Sequence, residues 1–261
     1  MGNGNIQQIF NSIDQIIKGI DATRKEPKFS SEVEKRKHRI SVIQNDNFIM
    51  ERLSKMIAYS QGAKSDLVSI MLEKGIFDNI FHNYEIDKVS IMNPSIVLTD
   101  HWDKIKSIRF KKKVNSIIDC AKAMVQIRSK YGSFAVLLGN IPVKLTSDDD
   151  IEKFWKGLDR IKAILKEENM PFFKNYTSML HLLLDLGYDC IKPDSAVMKA
   201  SKKLGIVSSE KGENNLLITV KFVQRYCISR KMIPSVIDFY LLIYGGQRWA
   251  KNYVNQSFYK N

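Results

Sequence analysis

The chain has 261 residues and a mass of 30.1 kDa, which suits one large domain or two lobes and buries a core without staples. Its composition, 44% hydrophobic and 26% charged, excludes wholesale disorder, and no apolar run nears the ~20 residues needed to span a bilayer. Forty-one Lys and Arg against 28 Asp and Glu give a net charge of +13, an imbalance that favours a polyanion, and nucleic acid is the partner expected rather than a membrane. Three dispersed cysteines, Cys120, Cys190 and Cys227, exclude a disulfide scaffold or a Cys-rich metal cluster and suit a reducing, cytoplasmic compartment. The polar start is no signal peptide, and MGNGNI has Ile6 where myristoylation wants Ser or Thr. The basic excess is local. Lys192 to Asn261 hold twelve basic and four acidic residues, and Lys104 to Lys113 (KIKSIRFKKK) hold six basic residues and no acid.

In chain order, IQQIFNSIDQIIKGI predicts an amphipathic N-terminal helix, followed by a charged linker to about Arg39. SIVLT near residue 97 is the best strand candidate. Val114, Ile117, Ile118, Ala121, Met124 and Val125 fall at helical spacing with lysines opposite. Ile151, Phe154, Trp155, Leu158, Ile161 and Leu165 repeat the pattern after SDDD, whose carboxylates suit a helix N-terminus. Phe172 to Leu186 predicts a central buried helix, Leu216 to Cys227 an amphipathic one, and Ile233 to Tyr244 a buried one opened by Pro234. Breaks fall at Glu26-Pro27, Asn93-Pro94, Gly139 to Pro142, Met170-Pro171 and Lys192-Pro193. The sum is an all-α protein of ten to twelve helices.

His38, His82, His101 and His181 show no metal-ligand spacing, so no metal and no cofactor is expected. No Walker loop, GxSxG or GxGxxG is present. The informative stretch runs from Phe172 to Trp249, where a buried helix meets a tight Lys192-Pro193-Asp194 turn that opens a basic helix. By itself Asp194 reads as an N-cap.

This arrangement resembles the helix-hairpin-helix superfamily of DNA glycosylases. Tyr176-Thr177 fall at the end of the hairpin and MLHLLLDLG is its second helix. Asp194 stands at the catalytic aspartate, and FYLLIYGGQRW matches the late helix with its small-residue turn. Ile57 to Met92, including Ser60-Gln61 and Phe81-His82, together with IRFKKKVNSIIDCAKAMVQI, is particularly similar to 3-methyladenine DNA glycosylase I and endonuclease III-like enzymes. The resemblance implies a bilobal helical bundle, with residues 1–45 plus 191–261 as one lobe, 46–190 as the other, and a cleft between them. It implies a glycosylase that hydrolyses the N-glycosidic bond of a flipped alkylated purine or other modified base, as in repair or anti-phage defence, and leaves an abasic site.

Within that reading Asp194 stabilises the oxocarbenium-like transition state and orients water. Gln61 is the residue for the gap left in the duplex, and Tyr59, Tyr176, Trp155 and Trp249 are candidates to stack on the base. Lys174, Asn175, Lys199, Lys202 and Lys203 are the expected phosphate contacts. Tyr176 occupies the position of the nucleophilic lysine of bifunctional members, which implies no lyase step. Tyr59 stands where the methyladenine branch has a glutamate, and the zinc and iron–sulfur ligands of related branches are missing. A monomer acting on double-stranded DNA, with no protein partner implied, is the expectation. The rival reading is a non-catalytic helical DNA-binding module that has lost its pocket.

Overall fold

A computed structural model describes residues 3–37 and 45–259. Met1, Gly2, His38 and the linker's expected end at Arg39 lie outside the described residues. Fourteen α-helices and no strand are present among the described residues, and four short 3₁₀ segments complete the chain. The helix count exceeds the ten to twelve expected because segments such as Ile76–Ile80 and Ile86–Ser90 are too short to display a period.

The chain forms two compact units, one of Met1–Ser41, Pro142–Lys153 and Leu183–Asn261, the other of Val42–Ile141 and Phe154–Leu182. In the first unit, α1 (Asn3–Thr23) is the expected amphipathic helix, with Ile9, Phe10, Ile13 and Ile20 buried. The charged linker is corrected to a helix, α2 (Lys28–Lys37), which buries Phe29 and Arg36. Its charges follow helical spacing: Arg36 pairs with Glu32 at 2.9 Å, four residues back. The second unit contains α3 (Asp46–Tyr59), α4 (Ser65–Glu73), α5 (Ile76–Ile80), α6 (Ile86–Ser90), α7 (Pro94–Ile105), α8 (Lys112–Tyr131) and α9 (Phe134–Gly139). The SIVLT strand is a correction too, because those residues open α7. Asn93 caps α7 through Ser95 N–H at 2.9 Å, and Pro94 occupies its first turn, so local start signals outweigh β-branching. Helix α8 carries the unit's core on Val114, Ile117, Ile118, Ala121 and Met124 and packs on α3 and α6.

Later elements are α10 (Asp148–Glu167), α11 (Tyr176–Asp185), α12 (Ser195–Lys203), α13 (Glu213–Arg230) and α14 (Pro234–Tyr244). The helix expected from Phe172 begins at Tyr176, because Phe172 has φ +69°, which a helix does not accommodate. Helix α14 is the centre of the first unit. Every residue from Pro234 to Ile243 is buried, and it packs on α12, α13, α2 and α1.

The end of α14 fixes the start of α12. A Cβ built on Gly245 would lie 2.0 Å from the carbonyl oxygen of Ala196 and 2.6 Å from its carbon. Both clashing atoms are backbone in the first turn of α12, so a side chain at 245 forces that turn away. Gly245→Ala is therefore expected to destabilise the protein by about 1–3 kcal/mol, as overpacking does. A urea midpoint equal to wild type would show that the turn yields without strain.

Candidate functional site

In the first unit Asp194 precedes α12 with extended backbone (φ −82°, ψ 179°), and its Oδ1 accepts the N–H groups of Ala196 at 2.9 Å and Val197 at 3.1 Å. The N-cap reading of the sequence is thus met by one carboxylate oxygen. Oδ2 has no hydrogen-bond partner among the described residues, and the side chain is half-buried. One oxygen thus holds the helix start.

The turn before Asp194 is anchored by a polar cluster that sequence reasoning missed. Lys192 N–H donates to Asp238 Oδ1 at 2.9 Å. Asp238 Oδ2 accepts from Arg36 Nη1 at 3.2 Å, and both residues are buried. The Arg36 guanidinium also donates to Ser235 O and lies 4.9 Å from the Phe239 ring. Trp249 stacks on Phe239 at 6.0 Å with 15° between the rings and is 41% exposed. The signal was available: Asp238 is the one acid in PSVIDFYLLIY, and an acid in an all-round apolar helix needs a buried cationic partner.

Lys199, Lys202 and Lys203 are exposed on α12. Lys202 has Glu210 at 3.9 Å, and Lys203 lies 5.2 Å from the Tyr244 ring, where these two side chains help to line a cavity of about 670 Å³.

In the second unit Tyr59 ends α3, is 40% exposed, and its hydroxyl lies 2.9 Å from Ser69 Oγ. Gln61 is not on a helix face. It sits exposed in the turn after α3 with φ +51°, followed by Gly62 at φ +72°. Lys113 is fully buried and donates to Ala58 O at 3.0 Å and Ser60 O at 2.5 Å, while Arg109 donates to Gly62 O at 3.2 Å. Two members of the basic KIKSIRFKKK cluster are therefore spent on backbone carbonyls. Lys113 shares a helix face with Ile117 and Met124, which is the signal that it points inward.

Burial, helped by the charges of Arg109 and Lys112, pushes the Lys113 ammonium down to about 8. Below that pH it is charged both folded and unfolded, and the full cost of burying the charge is present. Between about 8 and the ordinary lysine value the unfolded chain holds the proton and the folded chain does not, so stability rises with pH. Relative to Lys113→Met, the wild-type protein should gain on the order of 1 kcal/mol across that window. A pH-independent difference in unfolding free energy would contradict this.

Trp155 and Tyr176 are brought together in the same unit, with centroids 5.9 Å apart at 62°, and both are buried. The Tyr176 hydroxyl donates to Asp159, and Lys162 Nζ lies 3.5 Å from its ring centroid. Asn175 caps α11 by accepting Ser178 N–H at 3.0 Å, and Lys174 beside it is exposed. Among the described residues no group of three His, Cys, Asp or Glu is placed to hold a metal, and no helix is long and apolar enough to cross a membrane.

The family model of the methyladenine glycosylases matches residues 22–168, more than half of the chain, and the chain belongs to that family, a family of DNA glycosylases. Tyr59, Gln61, Lys113 and Trp155 lie inside the matched span, whereas Tyr176, Asp194 and Trp249 lie beyond it. No curated protein and no solved structure gave a match.

Proposed function

We propose that the chain is a monofunctional DNA glycosylase that extrudes an alkylated purine from duplex DNA and hydrolyses its N-glycosidic bond. The observation that carries this reading is the divided role of Asp194, one oxygen capping α12 and the other without a partner among the described residues. As the C1′–N bond lengthens, positive charge grows on the sugar, and a fixed carboxylate beside it lowers the barrier. The same carboxylate accepts a proton from the water that adds to C1′. A purine alkylated on a ring nitrogen is already cationic, so it leaves as a neutral base when it takes the bonding pair. No general acid is required, which suits a site built around one carboxylate.

Gln61 fills the vacated place in the duplex, and Tyr59 and Trp249, the two aromatic candidates with substantial exposed surface, stack on bases. Lys174, Asn175, Lys199, Lys202 and Lys203 contact phosphates. Tyr176 has no amine to attack the opened sugar, so no Schiff base forms.

The test is incubation with duplexes carrying single modified bases, followed by alkali to cut at abasic sites. Methylated purines should be released. Bulky modified pyrimidines of phage type belong in the panel because Tyr59 stands where the methyladenine branch has glutamate. Borohydride added during turnover should trap no covalent adduct, and an adduct would make the enzyme bifunctional. Binding to every duplex with release from none would favour the non-catalytic DNA-binding module.

A further inference from the structure

The turn that carries Gln61 is held by two side chains through three hydrogen bonds. Helix α3 leaves its last carbonyls without helical partners, as every helix does, and Lys113 supplies one ammonium both to Ala58 O in that last turn and to Ser60 O just beyond it. Arg109, itself at φ +76°, takes Gly62 O. Gly62 sits at φ +72°, which L side chains rarely adopt, and a Cβ there would lie 2.5 Å from Arg109 Nη1 and displace the guanidinium that holds its carbonyl. Between these grips Gln61 is forced into a left-handed conformation that non-glycine residues avoid and that persists only where the surroundings impose it. Its amide has no partner among the described residues and faces solvent.

A buried ammonium is costly unless its hydrogen bonds compensate, and the core face of α8 that holds Lys113 is otherwise apolar. A methionine would fill that place without the charge. What the lysine adds is the two bonds to this turn.

We propose that Lys113 and Arg109 are positioning residues for base extrusion, holding the Tyr59–Gly62 turn so that Gln61 enters the gap already ordered. The proposal rests on the gap-filling reading of Gln61. An amide pre-set in a rigid turn loses less conformational freedom on insertion than one on a mobile loop, so the clamp contributes to affinity for the gapped duplex. Because Lys113 is buried, it contributes nothing to phosphate contacts, and intact duplex should be bound equally with or without it.

The test uses a duplex with one tetrahydrofuran abasic analogue opposite thymine and 2-aminopurine as its neighbour, compared with the same duplex intact. The preference for the gapped duplex is read from affinity, and insertion from 2-aminopurine fluorescence. Gln61→Ala should lower the preference about five- to tenfold, the worth of one hydrogen bond. Lys113→Met should lower it by a similar factor with unchanged affinity for intact duplex. The Lys113→Met/Gln61→Ala double variant should be no worse than Gln61→Ala, and Lys113→Arg should recover part of the loss. If Gln61→Ala loses the preference while folded Lys113→Met keeps it, the positioning role is overturned and the Gln61 reading stands. If Gln61→Ala keeps the preference, gap filling fails and the positioning role falls with it. Should Lys113→Met not fold, Arg109→Ala at an exposed position decides by the same ratio of gapped to intact affinity.

Discussion

Asp238→Ala is expected to remove about 3–5 kcal/mol of stability, the cost of stranding one member of a buried ion pair. That is a large share of the roughly 5–15 kcal/mol that holds a domain folded. The substitution leaves the buried Arg36 guanidinium with Glu32 and Ser235 O but without its contact at 3.2 Å, and it deprives Lys192 N–H of its acceptor. The second loss bears on the role proposed for Asp194, since Lys192 lies two residues before it and its N–H ties the turn to α14. Asp238→Asn keeps a carbonyl oxygen for Lys192 and should be less damaging. Denaturant midpoints of both variants check this, and an Asp238→Ala protein within about 1 kcal/mol of wild type would mean the pair is replaced by water or by neighbouring groups.

Asp194→Asn is expected to separate folding from chemistry. The amide oxygen of asparagine accepts the Ala196 and Val197 N–H groups as Oδ1 does, and Asn caps helices about as well as Asp, so the stability change should be a few tenths of a kcal/mol. The charge proposed to face the sugar is gone. Loss of one preorganised electrostatic partner costs about 10²–10³ in rate. Affinity for DNA should hold or rise slightly, because one repulsion with phosphate disappears. Melting temperature, DNA affinity and single-turnover release, measured on one preparation, would show a folded, binding and nearly inactive protein.

The sequence was most legible where capping and periodicity agree. The α8 face, the acidic start of α10, Pro234 in the first turn of α14 and the Lys-Pro-Asp turn before α12 all lie where local rules put them. SIVLT misled because five residues, three of them β-branched, satisfy a strand pattern as well as a helix, and only Asn93-Pro94 upstream decides between them. The 24–39 stretch looked like a linker because its helix buries little besides Phe29 and Arg36. Of the boundaries between the two compact units, 141/142 falls at Pro142, where a break was expected, but two others fall inside α10, at 153/154, and α11, at 182/183, where no proline or glycine marks them.

Candidate residues divide in the same way. Asp194 was readable because both its capping and its proposed catalytic role demand a carboxylate at a helix start. Gln61 was found by resemblance, but its left-handed turn is contacted by Lys113 and Arg109, about fifty residues later in sequence, and no local pattern encodes that contact. Asp238 and Arg36 are separated by some two hundred residues, and their pairing is a tertiary event that periodicity cannot report.

The most direct test of the central claim sets charge against capping at position 194. With enzyme in excess over a methylated duplex, abasic sites are counted against time for wild type, Asp194→Asn and Asp194→Ser. All three side chains can cap α12, and only wild type carries the negative charge. Release by wild type, with both variants slower by about two orders of magnitude or more at unchanged melting temperature, is the predicted result. Either variant releasing base at close to the wild-type rate would show that Asp194 is a helix cap and that the chemistry lies elsewhere.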